Sequence, residues 1–214
     1  CSSDLTSMGT NITGYSALSG YIAGDDVSII GTPVYSSANA GARSILQGTV
    51  SLGGAKAANY VLSWTNGNGT ITPAPLTVTA NSYSRLLNES DAIGFNGVSY
   101  SGFVANQNAS ILTGAVSVNR ANSSIVAAGT YSNELVPSGI SANNYNITFA
   151  TGNLTIVGAN QLLVSFATSN VTYGDTPTYT VASARYLTGV GNNLTMVTLN
   201  APVISGSKIG RAHV

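Results

Sequence analysis

Apolar and polar residues alternate along much of this chain. Leu76-Thr77-Val78-Thr79 and Val116-Ser117-Val118 send successive side chains to opposite faces, the period of a half-buried strand. Over residues 44–52, Ile45, Gln47, Thr49 and Ser51 share one face and Leu46, Val50 and Leu52 the other, which predicts one continuous strand. A turn at Gly24-Asp25-Asp26 leads into a predicted strand over 27–30, and Val34-Tyr35 continues in the same fashion. Residues 60–65 predict another strand, Asn66-Gly67-Asn68-Gly69 a tight hairpin turn, and 70–72 the returning strand. Pro73-Ala74-Pro75 fixes φ and removes backbone donors, so sheet pairing is expected to stop there. Further strands are predicted from residue 76, over 98–103, 115–118 and 129–132, and in a closing segment over 145–157. Residues 104–112 lack alternation and predict a short helical turn capped by Asn106 or Asn108.

The closing segment occurs twice. Asn59-Tyr60 followed by Gly69-Thr70-Ile71 returns as Asn144-Tyr145 followed by Asn153-Leu154-Thr155-Ile156, with Tyr145 and Ile156 each 85 residues beyond Tyr60 and Ile71. These four residues are the predicted structural anchors of a repeat. The expected architecture is all-β and mostly antiparallel: tandem small modules, sandwich or β-grasp-like, each with at most one short helical turn. Residues 1–75 read as the latter part of one module, 76–157 as a complete module and 158–207 as a truncated third. In the third, Tyr173-Gly174-Asp175-Thr176-Pro177 occupies the place of Leu87-Asn88-Glu89-Ser90-Asp91, and no closing hairpin follows, so fraying is expected there. Residues 208–214 break the composition, with two of the seven basic residues and the single histidine, His213. Ile209-Gly210-Arg211-Ala212-His213-Val214 resembles translated sequencing adapter and is set aside as a non-native tail.

Composition narrows the function classes. Charged residues are 7% of the chain, against about 25% in ordinary soluble domains. Lys and Arg stand singly, which excludes the clustered positive charge needed for nucleic acid. No apolar run approaches the roughly 18 residues of a membrane-crossing helix. Few ionisable groups predict indifference to pH and salt. The one cysteine, Cys1, has no internal partner; a fragment edge is the preferred reading of the Cys-Ser-Ser opening over a lipidated first residue. Nine Asn-x-Ser/Thr sequons follow from the abundance of those residues and assign no modification.

Catalysis finds no residues. A serine or cysteine nucleophile needs a base beside it, and the one histidine lies in the tail. The carboxylates Asp25, Asp26, Glu89, Asp91, Glu134 and Asp175 read as turn acids. Gly24-Asp25-Asp26 and Asn88-Glu89-Ser90-Asp91 hold the oxygens that a calcium ion would want, but neither has EF-hand spacing, so no metal or cofactor site is assigned. Among the aromatics Trp64 has no repeat counterpart, since Phe149 holds its place. It is the one ligand candidate; Tyr60 and Tyr145 read as core.

Gly54-Ala55-Lys56-Ala57-Ala58-Asn59-Tyr60-Val61-Leu62 with the 69–78 segment resembles the end of a YDG-type repeat. Tyr173-Gly174-Asp175, Gly102-Phe103-Val104, Gly129-Thr130-Tyr131 and Asn144–Phe149 resemble MBG-type repeats, with Leu87-Asn88 departing from the Tyr-Gly pair. Such repeats occur in tandem in filamentous-haemagglutinin-like bacterial adhesins. The resemblance implies a non-enzymatic stalk or spacer at the cell surface or outside the cell, packed against neighbouring repeats of its own chain. Host glycan or surface protein would be bound through the parent protein. The alternative is a module whose own surface binds carbohydrate or host protein.

Overall fold

The computed structural model describes residues 22–167, 170–174, 179–190 and 193–199. Among them the fold is all-β and mostly antiparallel, with two isolated 3₁₀ turns, Ala57–Asn59 and Ala109–Ile111. The strands run β1 (Ser28–Ile30), β2 (Val34–Tyr35), β3 (Gly41–Leu46), β4 (Ser51–Gly53), β5 (Gly67–Ile71), β6 (Ala74–Ala80), β7 (Tyr83–Leu86) and β8 (Val98–Ser101). They continue as β9 (Thr113–Arg120), β10 (Gly129–Ser141), β11 (Tyr145–Ala150), β12 (Gly152–Val157), β13 (Leu162–Phe166), β14 (Val181–Val190) and β15 (Asn193–Thr198). Five sheets result, ordered β1-β4, β2-β3-β5, β11-β6-β8, β7-β12-β10-β9 and β13-β14-β15.

The chain forms two compact units, one from residues 1–77, 100–114 and 140–148, the other from 78–99, 115–139 and 149–214. In the first unit, β3 pairs antiparallel with β5, Gly41 opposite Ile71 and Ile45 opposite Gly67, while β2 takes its other edge. In the second, β10 pairs antiparallel with β12. β12 pairs in parallel with β7, Leu154 opposite Tyr83 and Val157 opposite Leu86, an arrangement that local sequence pattern does not announce. Residues of β6, β9, β10 and β12 make one core: Ala80, Val118, Leu135, Leu154 and Ile156, rimmed by Tyr83, Phe95 and Tyr131. Tyr83 and Phe95 meet edge to face, with ring centroids 5.4 Å apart.

Several local readings are corrected. The predicted strand over 44–52 is two strands. Gly48 takes φ +60°, the Val50 N–H donates to the Gln47 carbonyl, and Gln47-Gly48-Thr49 turns the chain between β3 and β4. Residues 60–65 form no strand, and Asn66-Gly67-Asn68-Gly69 is no hairpin turn; β5 begins at Gly67. The ladder on β3 explains this, since it places Gly67–Ile71 opposite Gly41–Ile45 and offers the preceding residues no edge. Gly69 is small for packing: a Cβ there would lie 2.6 Å from the Tyr35 ring. Pairing does stop at Thr72-Pro73, between β5 and β6, which lie in different sheets, but it resumes within the proline segment: β6 starts at Ala74, whose N–H donates to the Asn144 carbonyl, and includes Pro75. β6 otherwise follows its alternation, with Leu76, Val78 and Ala80 buried and the threonines between them half-buried. The predicted helical turn is the second 3₁₀ turn, its N-cap Asn108 accepting the Ser110 N–H at 2.9 Å.

Candidate functional site

Tyr60 and Tyr145 each accept and donate one hydrogen bond through the hydroxyl. The Ile22 N–H donates to the Tyr60 hydroxyl at 3.0 Å, and that hydroxyl donates to Asp25 Oδ2 at 2.7 Å. The Val104 N–H donates to the Tyr145 hydroxyl at 3.1 Å, and that hydroxyl donates to Gln107 Oε1 at 2.5 Å. Each partner pair spans a turn of the same size: the Asp25 N–H reaches the Ile22 carbonyl, and the Gln107 N–H the Val104 carbonyl. The turns differ in backbone conformation: Gly24 alone takes positive φ (+97°) in the first, whereas both Ala105 (+53°) and Asn106 (+57°) do so in the second. Each tyrosine thus fastens a turn 38 or 41 residues back in sequence. At Tyr60 the Ile22 hydrogen bond favours the phenolate, but donation to Asp25 and the charge of Asp25 outweigh it, so the hydroxyl titrates above its ordinary range. Tyr145 is buried against Phe103, their centroids 5.7 Å apart. Ile71 and Ile156 each lie opposite a glycine, Gly41 and Gly129 respectively.

Sequence reading places a turn at Gly24-Asp25-Asp26 and a helical turn over 104–112 without relating them, although Ser19-Gly20-Tyr21-Ile22-Ala23-Gly24-Asp25 and Ser101-Gly102-Phe103-Val104-Ala105-Asn106-Gln107 are visibly alike in sequence, 82 residues apart. It also read the acids singly. In the second unit Arg85 Nε lies 2.6 Å from Asp91 Oδ1, Arg120 Nη1 3.2 Å from Asp91 Oδ2, and Arg120 Nε 3.1 Å from Glu134 Oε1. Arg85 and Glu134 are buried, and Arg120 Nη2 donates to the Ile125 carbonyl. Glu134 also accepts the Asn122 N–H. Charges out of water persist only when paired and hydrogen-bonded, as all four are.

Burial raises the Asp91 carboxyl, but the hydrogen bonds and charges of Arg85 and Arg120 outweigh it and hold it below the ordinary carboxylate value. Because the folded value lies below the unfolded one, ionised Asp91 contributes stability above about pH 4, and this is lost as pH falls through the folded value. The expected indifference to pH therefore gives way to an acid-labile limb. Urea midpoints measured from pH 7 down to pH 2 are expected to fall more steeply for the native chain than for Asp91→Asn, and parallel curves would refute the assignment.

The passage from β12 to β13 is closed rather than loose. The Gly158 N–H donates to Gln161 Oε1 at 3.0 Å, and Ala159 forms a parallel bridge with Leu187 of β14. Leu187, 1% exposed, packs with Leu86 and Val157, flanked by Leu87, Leu163 and Leu194. Glu89 accepts the Leu86 N–H and pairs with Arg185 of β14. Both oxygen-rich stretches are thus engaged within the protein: Glu89 and Asp91 face arginines, while Asp25 serves Tyr60 and Asp26 accepts the Ala55 N–H. Trp64 is half-buried, with its indole N–H donating to Asn66 Oδ1 at 3.0 Å. Cys1, the Asp175-Thr176-Pro177 segment and residues 208–214 lie outside the described residues.

A chain of small sheets with duplicated tyrosine-fastened turns is a tandem β-repeat protein. The family model described as the MBG domain of YGX type matches residues 76–155, and that of the YDG domain matches residues 5–67. No curated protein and no solved structure matches it.

Proposed function

We propose that this segment is a non-enzymatic extracellular stalk of a large bacterial surface or secreted adhesin, holding a binding region away from the cell. Its modules are 1–75, 76–157 and 158–207, and Tyr60, Ile71, Tyr145 and Ile156 are their anchors. MBG and YDG domains, as repeat domains of large surface proteins, support the reading. The observation that carries it is the closed passage at Val157–Leu162. There, Leu187 packs on Leu86 and Val157, and Arg185 pairs with Glu89, so successive repeats brace each other. A stalk needs such bracing, because repeat arrays draw stability from nearest-neighbour interfaces and resist bending through them. Tandem chains of one, two and three copies of residues 76–157 provide the test by small-angle scattering. Maximum dimension should rise in equal steps with copy number; a dimension growing only as the square root would mean freely jointed beads and would sink the stalk.

A further inference from the structure

Of the four arginines among the described residues, Arg85, Arg120 and Arg185 pair with carboxylates. Arg43 does not. Its Nε donates to the Asn39 carbonyl at 2.8 Å, Nη2 to the Ala40 carbonyl at 2.8 Å, and Nη1 to the Ala42 carbonyl at 3.4 Å. Three carbonyls clasp the guanidinium and fix its plane without neutralising its charge. At least two of its five N–H groups are left over. In a chain where charged residues are 7%, an oriented cation with no counter-charge stands apart.

Arg43 lines a cleft of about 580 Å³ in the first unit, together with Asn39, Gln107, Ile111, Asn143 and Asn144. That volume falls within the roughly 300–1,000 Å³ of small-ligand sites. Asn144 is spent on the walls: its Oδ1 accepts the Ala40 N–H at 2.9 Å and its Nδ2 donates to Asn39 Oδ1 at 3.0 Å. These bonds hold the loop carrying Arg43 against the turn carrying Asn143. The side chain of Asn143 and the amide nitrogen of Asn39 make no hydrogen bond among the described residues. The cleft therefore combines a fixed guanidinium, planar amides able to donate and accept, and one apolar wall at Ile111. A guanidinium grips a carboxylate through two parallel N–H bonds, and planar amides match vicinal hydroxyls in the same manner.

We propose that this cleft binds a carboxylate-bearing saccharide of the uronic-acid class, with the carboxylate on Arg43 and the hydroxyls on Asn143 and Asn39. The proposal goes beyond the stalk reading and does not depend on it, since a repeat can brace its neighbours whether or not the cleft is filled. Net charge near zero provides no long-range steering, so affinity should be millimolar per site and gain from repetition along a polymer.

The 214-residue chain, labelled with nitrogen-15, is titrated with methyl glucuronoside while the Arg43 Nε–H and the side-chain amide signals are followed. The expected result is saturable shifts at Arg43 and Asn143, with methyl glucoside and acetate at least tenfold weaker. Arg43→Lys keeps the charge but loses the fork and should weaken binding about tenfold. Asn143 is exposed and unbonded, so Asn143→Ala leaves the fold intact and should weaken binding severalfold. The proposal is overturned if no shift saturates, if methyl glucoside or acetate binds as well as the glucuronoside, or if Asn143→Ala binds unchanged. The scattering steps of the tandem chains would stand in each of those cases.

Discussion

Arg120→Leu is expected to lower the unfolding free energy of the second compact unit by about 3–5 kcal/mol, the cost of removing one partner from a buried ionic group. Arg120 Nε meets Glu134, its Nη1 meets Asp91, and its Nη2 donates to the Ile125 carbonyl. Glu134 is 4% exposed and has no second cation within bridging distance among the described residues, so its charge would be stranded. Asp91 would fare better, because Arg85 remains beside it. Arg120→Leu combined with Glu134→Leu should therefore recover most of the loss, since two apolar side chains leave the Asn122 N–H, the Ile125 carbonyl and the part-exposed Asp91 Oδ2 to be satisfied again. Urea unfolding of the three proteins decides the matter. A single substitution costing less than about 1 kcal/mol would mean that water reaches Glu134 and that the network is a surface feature.

The same network marks where sequence reading stops. Its members stand at positions 85, 91, 120 and 134, with no spacing to connect them; Arg85, Glu134 and Arg120 lie on β7, β10 and β9 of one sheet, and Asp91 joins them from the loop after β7. β6 was legible for the opposite reason: Leu76, Val78 and Ala80 declare their burial by local alternation. Asn108 was legible as a cap because the signal lies within two residues of its effect. Asn66-Gly67-Asn68-Gly69 misled because its local chemistry favours a turn, while the non-local ladder on β3 and the close approach of Tyr35 call for a glycine-rich strand. Tyr60 and Tyr145 were visible as a repeat of 85 residues, but the turns they hydrogen-bond lie 82 apart, and that difference hid the pairing of turn with tyrosine. In the candidate cleft Arg43 carried no signal at all, because an unpaired arginine can be recognised only after the other three have found their partners.

Ile156 and Ile71, each preceded by a threonine and 85 residues apart, should respond differently to truncation. Both lie opposite a glycine, Gly129 and Gly41 respectively, so backbone pairing does not distinguish them. Burial does. Ile156 is 1% exposed and packs in the core of Ala80, Val118, Leu135 and Leu154, whereas Ile71 is half-buried at the end of β5. Ile156→Ala removes three carbons from a site closed on all sides and should cost about 2–5 kcal/mol, including the cavity left behind. Ile71→Ala removes the same atoms from a site already open to water, where the lost transfer energy is smaller and no closed cavity forms, so about 1 kcal/mol is expected. Hydrogen exchange of the native chain and both variants reads the two units separately. Ile156→Ala should raise exchange throughout β10 and β12 and leave β3 and β5 unchanged, and Ile71→Ala should do the converse more weakly. Equal losses at the two sites would mean that the anchors are energetically interchangeable. They would then have to be buried alike, against the difference between a sealed core around Ile156 and a strand end at Ile71.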